Sequence, residues 1–357
     1  MLTRRSRTVA VLGSAPAEQV LDSAFAGLVP RRFGGLVAVA VDESGLHEWS
    51  TGSWATLPEQ AAGPTPAGAG PPLVFQIGSV TKVFTALLLA RVVQSGEVGM
   101  DAPVDGALGT SLRVGGRPVT LRDLVTHRSG LPRVPRGMRR HVDMTDPYRF
   151  IDVTRLRAAA AAAGDHVRSG RAASISYSNF GFALLGLALA ETLDVTWEQA
   201  LRERVLRPAG LTTTGVRPDA PRAVAQDTRG GPVQPWDLAA FVPAGGLWMS
   251  ADDLATFLRL LTDAVQPGVG PAADGRSQVL EAVRMTLVPQ ARSLRAHVGM
   301  AWHFFERDGV AWHNGGVLGA SSFVGVDMPH ARAIGVFAMG DPKPALDRAA
   351  MCALTGR

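Results

Sequence analysis

Residues 78–82 read "GSVTK" and hold one of only two lysines in a chain whose lysines and arginines together number 36. A helix that begins at or just before Ser79 puts that hydroxyl and the Lys82 amine on one face, one turn apart. A serine hydroxyl becomes a useful nucleophile when a base removes its proton, and an amine is such a base only when uncharged. Arginine stays protonated at any working pH, whereas burial and neighbouring charge can bring a lysine down from its ordinary value of about 10.4. Ser79 and Lys82 are therefore a candidate nucleophile and its base. The free N–H groups of the helix start favour the negative charge that would develop there. A helix-capping serine followed by a solvated lysine would give the same letters.

The chain has two tyrosines, and Tyr177 lies in "SISYSNFGFALLG", immediately before a strongly apolar stretch. A tyrosinate beside a cationic lysine can pass the serine proton to a leaving group, and the Asn179 amide can hold a substrate carbonyl or amide. A core tyrosine with Asn179 as helix cap fits the same residues. Further on, "WHNGGVLGASSF" at 312–323 follows a strand-like run. Gly315 and Gly316 allow a substrate backbone to lie along a strand edge, where a free N–H can point at a carbonyl oxygen. His313 can contact a substrate group or join a proton relay. Alone, "HNGG" also reads as a turn.

The elements that must position these residues follow from periodicity. Residues 33–54 contain two β-rich runs around "DESG", a hairpin, and residues 58–72 are a Gly/Pro/Ala-rich surface loop. After Lys82 the pattern is helical, with Gly96 placed to stop the helix. Helical patterns dominate from 120 to 265, several opening on Thr, Asn or Ser. Past 295 the period returns to two, before a terminal helix at 345–354. The expected fold class is α+β: one antiparallel sheet built from both chain ends and flanked by helices, with a mostly helical insertion. The expected domains are 17–78 with 286–357, and 79–285, with the site between them. The pocket walls are expected from 130–155, 235–247 and 285–300.

With 357 residues, 46% of them hydrophobic, the chain can bury a large core and is expected to form one body of two lobes. Its net charge is a modest +5, and the densest basic run, "RGMRRH" at 136–141, lacks the aromatic interleaving of a nucleic-acid site. No nucleic-acid partner is expected. Cys352 is the single cysteine, so no internal disulfide can form. The eight histidines are scattered, the nearest pair being His297 and His303, so no metal is expected. The most apolar segments, 83–93 and 180–193, fall short of the roughly 20 residues needed to cross a bilayer and read as buried helices. No membrane partner is expected. The start, "MLTRRSRTVAVLGSAPA", orders its residues as a secretion signal does, but its apolar run, 8–12, is short for that role. A cytoplasmic location is expected.

Three motifs in the order S-x-x-K, Y-x-N and H-x-G resemble the serine β-lactamase and penicillin-binding-protein superfamily. The likeness is to the branch with class C β-lactamases, D-alanyl-D-alanine carboxypeptidases, D-aminopeptidases and related esterases. "SVTKVFTALLLARVVQSGEVGMDAPV", "LRDLVTHRSGLP" and "PAGGLWMSADDLATFL" look like further family landmarks, and the likeness runs from about residue 17 to 350. It implies Ser79 as nucleophile, Lys82 as its base partner and Tyr177 as second base or acid. It also implies Asn179, His313, Asn314 and Gly315 as substrate-binding residues, and the N–H groups of Ser79 and Gly316 as the oxyanion hole. The implied chemistry is acyl transfer in two steps with no cofactor, on a small-molecule ester, amide or peptide substrate. β-Lactamases and transpeptidases of the superfamily usually carry a lysine at the first position of the third motif, where this chain has His313, which favours an esterase, amidase or peptidase over penicillin chemistry. Transfer to an amine acceptor, in secondary metabolism, is the alternative within acyl chemistry; a non-catalytic binding protein on the same fold is the alternative outside it. Neither the acyl group nor the oligomeric state is readable.

Overall fold

The computed structural model describes residues 12–13, 15–28, 34–52, 54–57, 73–138, 145–163, 174–227, 229, 231–266, 274–293, 297–305, 309–340 and 344–356. The expected 58–72 loop, residues 139–141 of the basic run and most of the apolar run at 8–12 lie outside these residues.

The two β-rich runs at the start form the expected hairpin, Gly35–Asp42 with Gly45–Gly52. Its first strand pairs antiparallel with Arg332–Met339, Val39 opposite Gly335, so the two chain ends meet inside one sheet. That sheet has eight strands, running from Gly45–Gly52 through Gly35–Asp42, Arg332–Met339, Ala320–Asp327, Val310–Val317 and His303–Phe305 to His297–Val298 and Ala291–Arg292. All its pairings are antiparallel. The fold is α+β.

Both faces of the sheet are covered, which is why its central strands are apolar at successive positions. Leu36, Ala38 and Ala40 point to one face and pack with Leu21 and Phe25 of the Ala17–Phe25 helix and with Leu346 and Leu354 of the Ala345–Thr355 helix. Val37, Val39 and Val41 point to the other and join the main core with Leu254 and Phe257 of the Ala251–Val265 helix. A Cβ on Gly335 would lie 2.5 Å from Leu254 Cδ1, so this helix needs glycine at that point to settle on the sheet.

The Thr81–Gln94 helix is buried nearly all round, Phe84 packing on Phe257 at 4.8 Å between ring centres. The Asn179–Leu193 helix is buried from Asn179 to Leu189. Both match the expectation of core helices, and among the described residues no single helix is long and apolar enough to cross a membrane.

A second sheet is absent from the sequence reading. Ala55–Thr56, Arg222–Val224, Val74–Gln76 and Trp248–Ser250 form four short strands, with Val74–Gln76 parallel to Arg222–Val224. Strands of two or three residues carry no usable alternation. This small sheet ends three residues before Ser79 and so aims the turn that carries it.

Candidate active site

The chain leaves the Val74–Gln76 strand, makes one 3₁₀ turn at Gly78–Val80 and enters the Thr81–Gln94 helix. Gly78 has φ +50°, and a Cβ there would also lie 2.5 Å from the backbone nitrogen of Gly316. A Cβ on Gly315 would lie 2.1 Å from the carbonyl oxygen of Ile77 and 3.1 Å from the nitrogen of Ser79. Two glycines facing each other thus let the Val310–Val317 strand close onto the serine turn, where any side chain would hold it off. The Ser322 hydroxyl donates to the Ile77 carbonyl at 2.7 Å, and the Ile77 N–H donates to Leu247 at 3.0 Å, which fixes the turn from two sides.

Lys82 is fully buried. Its Nζ donates to Ser79 Oγ at 3.0 Å and to the carbonyl oxygen of Ala244 at 2.5 Å, and it stands 4.9 Å from the centre of the Tyr177 ring. No carboxylate is bonded to it among the described residues; its polar contacts are a hydroxyl and a carbonyl. Burial, with the charge of Arg133 adding to it, pushes its pKa well below the ordinary lysine value. The uncharged amine that proton abstraction needs is the form this pocket favours.

Tyr177 is half-buried beside the serine. Burial pushes its phenol up to about 12, and a hydrogen bond with Ser79 and the charge of Arg133 pull partly the other way. At neutral pH the group is therefore a phenol, an acid rather than a tyrosinate. Ser178 caps the Asn179–Leu193 helix, its hydroxyl accepting from the Gly181 N–H at 2.9 Å. The cap is thus Ser178 and not Asn179, whose side chain is free of that role. Its Nδ2 donates to the Tyr148 hydroxyl at 3.0 Å, and its buried Oδ1 has no partner among the described residues.

The third motif is split by the strand's alternation. His313 and Gly315 are buried on the serine side, whereas the Asn314 side chain crosses the sheet and donates to Asp347 of the terminal helix at 2.5 Å. The structure therefore brings Ser79, Lys82, Tyr177, Asn179, His313, Gly315 and the Gly316 nitrogen together, but not the Asn314 side chain. The Val310–Val317 strand is not a sheet edge along its whole length. His303–Phe305 pairs with its residues 310–312, and the outer edge opens only from His313 onward.

Three residues around the site were not singled out for chemistry in the sequence. His127 packs tilted against Tyr177, 4.5 Å between ring centres, and its Nδ1 accepts from the Ser178 N–H at 3.1 Å. His303 lies 6.3 Å from Tyr177 and 5.4 Å from His313, ring centre to ring centre. The Arg133 guanidinium sits 5.0 Å from the Tyr177 ring centre. The stretch "LVTHRSGLPR" held two of them, yet nothing in its spacing says that they converge on a residue near position 177. Burial holds His127 and His313 well below the ordinary imidazole range and brings His303 down to about 4. All three are neutral at pH 7. Among the described residues no group of three His, Cys, Asp or Glu is arranged to hold a metal.

The family model described as beta-lactamase matches residues 21–352. The chain belongs to the beta-lactamase family. It is 28% identical over 197 residues to the D-alanyl-D-alanine-carboxypeptidase/endopeptidase AmpH of Escherichia coli strain K12, covering 52% of this chain and 48% of that protein. It is 30% identical over 278 residues to penicillin-binding protein 4 of Amycolatopsis lactamdurans, covering 71% of this chain and 68% of that one. The chain thus spans about half the length of AmpH and about two thirds of the Amycolatopsis protein. In fold it is similar to the class C beta lactamase of Rhodobacter sphaeroides, with a TM-score of 0.71 over 94% of this chain and 97% of that one at 20% identity. Within this family the fully buried His313 supplies no positive charge at the third motif.

Proposed function

We propose that this protein is a serine hydrolase that forms an acyl-enzyme on Ser79 and hydrolyses a small ester or amide. One observation carries the reading: the fully buried amine of Lys82, held 3.0 Å from the Ser79 hydroxyl in surroundings that favour its neutral form.

In the reading we propose, Lys82 takes the Ser79 proton as Oγ bonds to the substrate carbonyl carbon. The oxygen that becomes negative is received by the N–H groups of Ser79 and Gly316. As the tetrahedral intermediate collapses, the bond to the leaving group breaks and the Tyr177 phenol protonates that group; the proton that Lys82 took from Ser79 then passes to the resulting tyrosinate and restores the phenol. In the same reading Asn179 contacts the substrate, and the fully buried His313 packs 6.2 Å from the Tyr177 ring centre. Water then attacks the acyl carbon, gives up a proton to the same relay and releases the acid with Ser79 restored.

The test is intact-mass analysis after mixing the protein with activated esters, a penicillin and D-amino acid amides, each with and without an added amine. A mass increment mapped to Ser79 and lost to water supports the reading. An increment passed to the amine as an amide would make the protein a transacylase, and no increment with any donor would sink the acyl-enzyme.

A further inference from the structure

The imidazoles of His127, His303 and His313 are shifted toward their neutral forms and bring little fixed charge to the cleft at neutral pH, and burial shifts the Lys82 amine in the same direction. Arg133 is different: a guanidinium is charged at every working pH. Its side chain is exposed, and among the described residues it has neither a carboxylate nor another hydrogen-bond partner. It is nevertheless placed with care. The Arg133 carbonyl accepts the Phe180 N–H at 3.1 Å, and the neighbouring Pro132 carbonyl accepts the Ser178 hydroxyl at 2.7 Å, so its backbone is pinned to the start of the helix that bears Asn179. The guanidinium lies 5.0 Å from the Tyr177 ring centre and the Lys82 Nζ lies 4.9 Å from the same point, so the two are at most about 10 Å apart. A cation with its donors exposed, this near the reacting atoms, is arranged to receive a planar anion in two parallel hydrogen bonds.

We propose that Arg133 recognises a carboxylate on the substrate from the helical side of the cleft, so that the preferred donors are anionic esters or amides. The inference rests on the acyl-enzyme reading above and adds the charge of the substrate to it. It also places the anion across the serine from the Val310–Val317 strand, whose His313 cannot supply the charge.

The test compares donors paired by shape. 4-Nitrophenyl hemisuccinate against 4-nitrophenyl butyrate places the carboxylate on the acyl part; 3-acetoxybenzoate against phenyl acetate places it on the leaving part. The readout is the anionic-to-neutral ratio of kcat/KM, in which any effect of Arg133 on Lys82 cancels because both donors feel it alike. In the wild type one pair shows a ratio of about ten or more, and that pair identifies which part carries the carboxylate. Arg133→Gln brings this ratio close to one, chiefly through KM. Arg133→Lys, which keeps charge without the planar fork, falls between, and added salt lowers the wild-type ratio. A wild type with no preference for either anionic donor, or a preference that survives Arg133→Gln, overturns the proposal while leaving the acyl-enzyme intact. Failure of all four esters to label Ser79 or turn over overturns the reading beneath it as well.

Discussion

The Lys82 amine bridges the Ser79 hydroxyl, 3.0 Å away, and the carbonyl oxygen of Ala244, 2.5 Å away and 162 residues further along the chain. One contact points it at the candidate nucleophile. The other anchors it without supplying a negative charge that would hold its proton.

Lys82→Arg therefore tests the protonation state and not merely the charge. The larger, permanently charged group is expected to lower kcat/KM by about 10³-fold or more. It is also expected to cost about 3 kcal/mol or more of stability, through an uncompensated buried cation. Ester turnover and urea denaturation check the two effects. Turnover near the wild-type rate would remove Lys82 from the role of base.

Tyr177→Phe keeps the ring that packs on His127 and removes only the phenol. Because that phenol is protonated up to about pH 12, its loss is expected to appear as a missing acid. Acylation should slow by about 10²–10⁴-fold for amides, and less for esters whose leaving groups need no proton. Burst kinetics on matched 4-nitrophenyl esters and 4-nitroanilides read the difference. Equal effects on both would deny Tyr177 the role of acid.

Gly78→Ala is expected to damage both fold and site. A residue with a side chain at φ +50° costs about 1–2 kcal/mol, and here the new methyl would also meet the Gly316 nitrogen. Displacing the strand from the serine turn should lower acylation as well as the denaturation midpoint. A variant of wild-type stability would contradict the close approach of strand and turn.

Stability should fall on the acid side in a window set by His303. Its imidazole has an ordinary pKa of 6.5 when unfolded and about 4 when folded, so between these values the unfolded chain binds the extra proton. Stability is full above pH 6.5 and declines as pH drops toward 4. Buried His127 and His313 act in the same direction. His303→Phe, which keeps a ring against Trp312, should flatten the decline, measured as the urea midpoint against pH. An unchanged slope would mean that His303 titrates normally.

Asn314→Ala should act on stability through the lost bond to Asp347, by about 1–3 kcal/mol, and not on KM. A large rise in KM without loss of stability would return its side chain to the substrate groove.

Much of this architecture was written locally. Alternation in residues 33–54 and past 295, and the apolar runs before and after Tyr177, gave the hairpin, the late strands and the core helices, because each depends only on backbone period. The four-stranded small sheet was invisible, since its strands are too short to show a period. "HNGG" announced a strand against the serine but not its alternation relative to the cleft, and one step of that alternation sends Asn314 through the sheet to Asp347.

The spacing of Ser79 and Lys82 is a property of the helix turn, and sequence alone determined that the two would face each other. Whether the amine sheds its proton was decided by tertiary structure, because desolvation comes from chain segments far apart, among them Ala244 and the Tyr177 and Phe182 rings. The same holds for His303: an imidazole's charge in a cleft depends on which neighbours exclude water from it, and only the folded chain selects those neighbours.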